Sequence, residues 1–326
     1  MALGVSKVTA APLVSIIVVA YRQERYIRAA VRSALAQTYT PLEIVLSDDG
    51  SPDRTFEIMQ EEAAAYRGPH KVILNRNPTN LGVAENYNRA ASLASADLIV
   101  VQDGDDISRP DRTAKLARAA QEPTPVDMVC SRFSMIDDAG QALPEWPLPP
   151  VAPLTLEDAL RQGSISAAGC ACAYSRSLWT KYGPMERDVY QEDVVLPFRA
   201  LLERGIRVVD EPLVEYRVHD GNLFVGRPPP RSREDRRRRA RNWAAISHDW
   251  RRSWTLSGRE PAAFERQFRQ LLKHREYDAE CYDRSRAYAL LTALRGLAEG
   301  LTLRNSAGLI RRHVLRLAQP LREKTR

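Results

Sequence analysis

The sequence predicts an α/β protein: a doubly wound, mostly parallel sheet flanked by helices, followed by a C-terminal α-helical extension. Two observations carry this expectation. Short apolar runs rich in branched side chains alternate with amphipathic stretches of helical period, a pattern that calls for right-handed β-α-β crossovers. The last hundred residues instead favour helix and differ in charge: residues 227–326 carry 25 Lys+Arg against 11 Asp+Glu, whereas residues 1–226 carry 23 against 30. A chain of 326 residues has room for one large domain with an appendage, and the expected division is 12–226 for the α/β body and 227–326 for the basic extension.

Residues 14–20 read as a strand buried on both faces. Residues 24–37 place Ile27, Val31, Ala34 and Leu35 at helical spacing. Pro41 then interrupts the chain, and 43–47 form a second strand. It ends in Asp48-Asp49-Gly50-Ser51-Pro52-Asp53, a turn with an N-cap candidate ahead of a helix from about Thr55. Residues 72–74 are a third strand, 75–82 a loop and 83–93 a helix. The apolar strand 98–101 follows. Beyond Pro110 the pattern gives a helix over 111–120, a strand over 128–133, a turn at Asp138-Ala139-Gly140 and a proline-rich connection over 144–153. The small residues 169–174 suit a strand with Cys170 and Cys172 on one face. Residues 193–203 are helical by period, with Pro197 implying a kink or a later start. Residues 207–209 and 213–218 read as extended. From Arg231 onward helix is favoured, with breaks near 258–261 and at Gly300.

No run approaches the roughly 20 apolar residues of a membrane span. The stretch 13–21 is interrupted by Ser15 and lacks a basic leader, so a core strand explains it better than a signal peptide. The four cysteines form no CxxC pair, and buried thiols in a reducing cytoplasm are expected.

The densest chemistry lies in Asp103-Gly104-Asp105-Asp106, directly after the 98–101 strand. Three carboxylates within four residues repel one another unless a cation holds them. Their hard oxygens suit Mg²⁺ or Mn²⁺, and such a metal usually also ligates a substrate phosphate. The C-terminal end of a strand in an open α/β sheet is where ligands bind. The same residues also suit a plain solvated turn.

Six motifs in order over residues 14–222 resemble the inverting family 2 glycosyltransferases, whose nucleotide-sugar-binding domain has the GT-A fold. They are Ala20-Tyr21-Arg22-Gln23-Glu24, Asp48-Asp49-Gly50-Ser51, Asn80-Leu81-Gly82 with Asn86, Asp103-Gly104-Asp105-Asp106 followed by Pro110, Glu192-Asp193, and Tyr216-Arg217-Val218-His219. The resemblance implies donor binding by Ala20, Tyr21, Glu24, Asp48, Asn86, Asp103 and Arg217. Asp48 would accept a donor group of the base, although an Asp there can also cap the next helix. Asp49 is read as a cap. A divalent metal, Mn²⁺ or Mg²⁺, is implied at Asp105, with Asp103 and His219 beside it and Asp106 behind. The fork of Arg217 would meet a phosphate. Asp193 would be the general base and Glu192 would bind the acceptor or orient the loop. Acids starting a helix would look the same.

The implied function is metal-dependent, inverting transfer from a nucleotide sugar, a UDP-sugar, to a hydroxyl of a glycan or lipid-linked acceptor in cell-surface polysaccharide synthesis. The expected location is cytoplasmic, peripheral on the membrane face. Two other classes compete: a nucleic-acid-binding protein on an inactive α/β body, and a nucleotidyltransferase. No Gly-rich phosphate loop supports the latter. Acceptor specificity is expected between 135 and 190. In the tail, residues 231–241 hold seven arginines, followed by Trp243, Trp250 and Trp254. Contact with an anionic inner-membrane surface and tryptophans packed against the body or a second copy weigh equally; nucleic acid weighs least. Leu309, Ile310, Val314, Leu315 and Leu317 among Arg311, Arg312 and Arg316 form a candidate interfacial stripe, limited by Pro320.

Overall fold

A computed structural model describes residues 11–144, 155–165, 167–222, 232–283 and 286–298, with Leu301, Asn305 and Leu309. Strands β1 (Val14–Ala20), β2 (Leu42–Asp48), β3 (Lys71–Arg76) and β4 (Leu98–Asp103) pair in parallel in the order β3-β2-β1-β4. They are joined through α1 (Ile27–Leu35), α2 (Thr55–Ala65) and α3 (Val83–Leu93). Alternation along each strand divides the core in two. Ile17, Val19, Val45, Ile99 and Val101 meet α3, whereas Ile16, Val18, Ile44, Leu46 and Val100 meet α1 and α2 on the opposite face.

The second half adds β5 (Ile107–Ser108), α4 (Arg112–Gln121), β6 (Met128–Ile136), α5 (Leu156–Gln162), β7 (Cys172–Ser175), α6 (Ser177–Tyr182), α7 (Glu192–Leu202) and β8 (Ile206–Arg217). The eight-stranded sheet runs β3-β2-β1-β4-β7-β6-β8-β5. It is mixed, because β7 is antiparallel to β4 and β6, and β5 to β8. Three expectations need correction here. Residues 169–171 form a 3₁₀ turn and the strand starts only at Cys172. Cys170 and Cys172 therefore share no strand face: Cys170 packs with Ala171 and Val214, and Cys172 joins the core around Tyr174. All four cysteines are buried and none is in a disulfide. The two extended pieces near 207–218 are one strand, with Asp210, Glu211 and Leu213 absorbed where the register against β6 shifts on either side of the Arg132–Pro212 pair. Helix α7 begins at Glu192 and runs through Pro197. The proline ring removes the N–H that would otherwise bond the carbonyl of Asp193.

The extension forms α8 (Arg233–Leu256), α9 (Pro261–Asp283) and α10 (Arg286–Ala298). A capping box starts α8: the Ser232 hydroxyl accepts from the Asp235 amide at 2.9 Å, and the Asp235 carboxylate accepts from the Ser232 amide at 3.2 Å. The described arginines in the first turns of this helix stay exposed or half-buried, and its second half builds core. Trp250 is fully buried, stacks on Phe198 at 4.2 Å between centroids, and donates its indole N–H to the Val194 carbonyl at 3.2 Å. Ile246, Trp254, Phe268 and Leu272 join the same core as β1 and β4. The packed-tryptophan reading is thus the one the structure shows. Leu309 is buried with Tyr277, Ala293 and Leu301. Ile310 and the rest of the candidate stripe, Arg231, and most of the proline-rich connection lie outside the described residues. No described helix is long and apolar enough to cross a membrane.

The α7–α8 contact contains a fully buried ion pair. Arg199 meets Asp249 through Nε at 3.1 Å and Nη2 at 2.7 Å, while its Nη1 donates to the carbonyls of Leu178 and Gly183. Removing one partner leaves an uncompensated charge in the core. Asp249→Ala is expected to cost about 3–5 kcal/mol in denaturant unfolding; a change under about 1 kcal/mol, the usual size for an exposed pair, would show that this contact is not closed to water.

Candidate active site

Parallel register places the candidate motifs side by side. Ala20 pairs with Asp48 and Val19 with Asp103, so the turns after β1, β2 and β4 open at one edge of the sheet. Tyr21 is exposed there, with the Arg22 guanidinium 5.5 Å from its ring centroid. Glu24 accepts from the Arg54 amide at 3.0 Å, just ahead of α2.

Asp48 is fully buried. Its Oδ2 accepts from the Ser51 amide at 3.0 Å, with Arg76 at 3.5 Å, and its Oδ1 has no partner among the described residues. Burial raises its pKa despite the Ser51 contacts and the Arg76 charge. A buried oxygen left without a donor is costly, and it is poised for a donor on a ligand. Asp49 holds the opposite turn: it accepts from the Leu81 and Gly82 amides at 2.9 Å each and from Asn77 at 2.8 Å. Its capping role is therefore at α3, not α2. Asn86, expected at the donor, spends its oxygen on the Ser47 hydroxyl at 2.6 Å and Asn77 at 3.3 Å, bracing α3 against β2.

In the acidic turn, Asp105 Oδ2 lies 2.9 Å from His219 Nε2. The Asp103 Oδ1 accepts from the Tyr87 hydroxyl at 2.8 Å. Asp106 is buried; Oδ1 accepts from the Arg217 amide at 2.9 Å, and Oδ2 has no partner among the described residues. Arg217, expected at a phosphate, is buried with its fork on the carbonyls of Asp105, Asp137 and Asp138 at 2.9–3.2 Å. It ties β8 to the acidic turn. Asp105 and His219 converge as expected of ligands, but among the described residues no three acidic, His or Cys side chains form a metal-holding group. The donor set still fits a divalent cation. It offers hard oxygens and one imidazole, an orphaned carboxylate oxygen, and crowded charge. Burial and the neighbouring Asp105 raise the Asp103 pKa to about 7, against the opposing Tyr87 bond and Arg112 charge. Asp106 is pushed well above the carboxylate range by burial, then by Asp105 and Asp103.

Glu192 and Asp193 open α7 across the cleft. Glu192 is buried, and a Cβ on Gly169 would stand 2.0 Å from its Oε1, so a backbone without a side chain is needed beside it. Asp193 Oδ1 is buried without a partner among the described residues. Burial, then the Asp103 charge, raise Asp193 to about 7, while its own amide and that of Gly169 pull it back. Glu192 is raised further, by burial and then by Asp193 and Asp103. The Asp103 charge thus acts on both acids of α7, and the Asp105 charge on Asp103. Two residues here escaped sequence reasoning. Tyr87 reads as an ordinary apolar position of α3, yet its hydroxyl holds Asp103. Arg112 reads as a surface residue of α4, yet it is buried beneath the turn, donating to the carbonyls of Val101 and Cys170 at 2.7 and 2.6 Å.

The topology thus brings acidic side chains from the ends of β2 and β4 and from the amino terminus of α7 into the candidate site. The model of glycosyl transferase family 2 matches residues 15–183, and the chain belongs to that family. EpsE of Bacillus subtilis (strain 168), which carries the name of a glycosyltransferase, is 34% identical over 142 residues, 42% of this chain and 50% of EpsE. The chain thus spans half the length of that relative. Staphylococcus aureus TarS 1-349 in complex with UDP shares the fold with a TM-score of 0.56 and 18% identity over 95% of this chain and 93% of that one. The mannosyltransferase PcManGT of Pyrobaculum calidifontis, in complex with GDP-Man and Mn²⁺, gives 0.52 and 19% over 96% and 82%.

Gly50 adopts φ +68°, and a Cβ there would lie 2.6 Å from the Thr79 backbone. Gly50→Ala should therefore cost about 1–3 kcal/mol and weaken nucleotide binding, because the strain falls between Asp48 and the 80–82 turn. Unfolding and nucleotide titration of the same variant check this; unchanged values in both would show that the turn relaxes freely.

Proposed function

We propose that the protein is a divalent-cation-dependent, inverting glycosyltransferase. It moves a sugar from a nucleotide sugar, a UDP-sugar, to a hydroxyl of a glycan or lipid-linked acceptor in cell-surface polysaccharide synthesis. The observation that carries this reading is the unpartnered, buried Asp193 oxygen in one cleft with Asp103 and the Asp105–His219 pair. Residues 12–226 act as the catalytic domain and 227–326 as a basic helical extension that offers contact to the cytoplasmic face of the inner membrane.

Asp48 Oδ1 accepts a donor group of the base, with Ala20, Tyr21 and Glu24 around the nucleoside. Asp105 and His219 would hold the cation, with Asp103 beside them, and the ion would supply Lewis-acid stabilisation of the charge that develops on the diphosphate. Asp193 takes the proton of the acceptor hydroxyl as that oxygen bonds the anomeric carbon. The bond from that carbon to the donor phosphate oxygen breaks, its electron pair leaves with the nucleoside diphosphate, and configuration inverts. A base with a pKa near the working pH combines a useful ionised fraction with real proton affinity. Glu192 orients the acceptor. That TarS was solved with UDP and PcManGT with GDP-Man and Mn²⁺ supports a nucleotide-sugar donor and a divalent cation as the ligands.

Incubation with UDP-sugars and Mn²⁺ should release UDP, and chelation should stop it until Mn²⁺ or Mg²⁺ is restored. Asp193→Asn should lower kcat by about 10²–10⁴-fold while nucleoside diphosphate still binds. Equal rates in variant and wild type would refute the base assignment. Ionised Asp193 is the active form, so kcat/KM should rise with pH through a limb near 7, and that limb should vanish in Asp193→Asn. UDP with Mn²⁺ should raise the unfolding temperature, and Asp48→Ala should abolish most of that rise; a GDP-specific shift would reassign the nucleotide.

A further inference from the structure

A cavity of about 230 Å³ lies between the turn at 80–83, residues 187–190, and the first turns of α8. Arg187, Arg238 and Arg241 reach its wall from two separate elements. Glu234, 3.5 Å from Arg237, and Asp188 also line it, so its three arginines outnumber its two carboxylates. Val83, the first residue of α3, contributes the positive end of an eleven-residue helix. Tyr190 adds an aromatic face that carries the Arg238 guanidinium 5.0 Å from its centroid.

The walls are fixed to the catalytic helix. The Ala84 amide donates to the Val189 carbonyl at 3.3 Å. The Tyr190 amide donates to Asn242 Oδ1 at 2.9 Å, and Asn242 Nδ2 donates to Gln191 Oε1 at 2.7 Å. Asn242 is fully buried. Tyr190 precedes Asp193 by three residues, which bounds their Cα separation at about 11 Å, roughly the reach of one sugar unit with a substituent.

We propose that this cavity seats the anionic group, a phosphate or a carboxylate, of the sugar acceptor, and so selects charged glycans whose neighbouring hydroxyl then lies at Asp193. This rests on the glycosyl-transfer reading above. Planar guanidinium groups from two elements give bidentate contacts to either oxyanion.

The test is calorimetric titration of the full chain, saturated with UDP and Mn²⁺, with glycerol phosphate, glucuronic acid and neutral glucose. One or both anions should bind while glucose does not, and the better of the two identifies the acceptor's charged group. Arg187→Gln/Arg238→Gln should weaken anion binding about tenfold or more, a loss of one or two charge-assisted contacts, with UDP affinity retained. Both side chains are exposed, and Arg187→Gln alone serves as the milder variant should the double one misfold. No anion binding up to about 10 mM, equal binding by glucose, or equal binding by the variants overturns the proposal. Anion binding seen only without UDP also overturns it, since the cavity would then belong to the donor diphosphate. Failure of the glycosyl-transfer reading would show separately, as absent UDP binding and turnover.

Discussion

The structure depends on keeping carboxylates close together where water is scarce. Asp103, Asp105 and Asp106 crowd the end of β4, and Glu192 and Asp193 face Asp103 across the cleft. Such a cluster would disperse without opposing positive groups. Arg112 lies buried beneath the turn, Arg217 straps its backbone from β8, and the amide end of α7 faces the second acid pair. Burial raises the pKa values of most members, so the cluster is under electrostatic load. Fold and chemistry meet in that load: each supporting contact comes from a different element, and the sheet brings those elements to one edge.

The α/β body was legible because its signal is local. Branched runs at 14–20 and 98–101 and the helical period of 83–93 are set by burial on both faces of one sheet, and the structure places those elements within a residue or two. Asp105 and His219 were found as a pair because the order of motifs, not their spacing, relates them. The strand pairing from β7 onward was not legible. Gly169 to Ala171 has the small side chains of a strand, but its backbone is folded into a 3₁₀ turn that makes room for Glu192, a long-range contact no periodicity reports.

The same limit hid the supporting residues. Arg217 and Asn86 have side chains suited to a ligand, and sequence cannot tell whether an arginine's fork faces a phosphate or three carbonyls of its own chain. Tyr87 and Arg112 gave no warning at all, since a tyrosine on an apolar helix face and an arginine at a helix start are commonplace. The composition of the basic tail left membrane contact and packed tryptophans equally weighted; burial of Trp250, Trp254 and Asp249 makes α8 part of the main core.

The buried Arg199–Asp249 pair makes the enzyme indivisible. A fragment ending near residue 226 would strip the tryptophan cover from Phe198 and strand a guanidinium in an apolar hollow, and the helix that loses its footing is the one bearing Asp193. Recombining this tail with a related catalytic half would transplant only when both members of the pair travel together, so the natural unit of exchange is the α7–α8 couple.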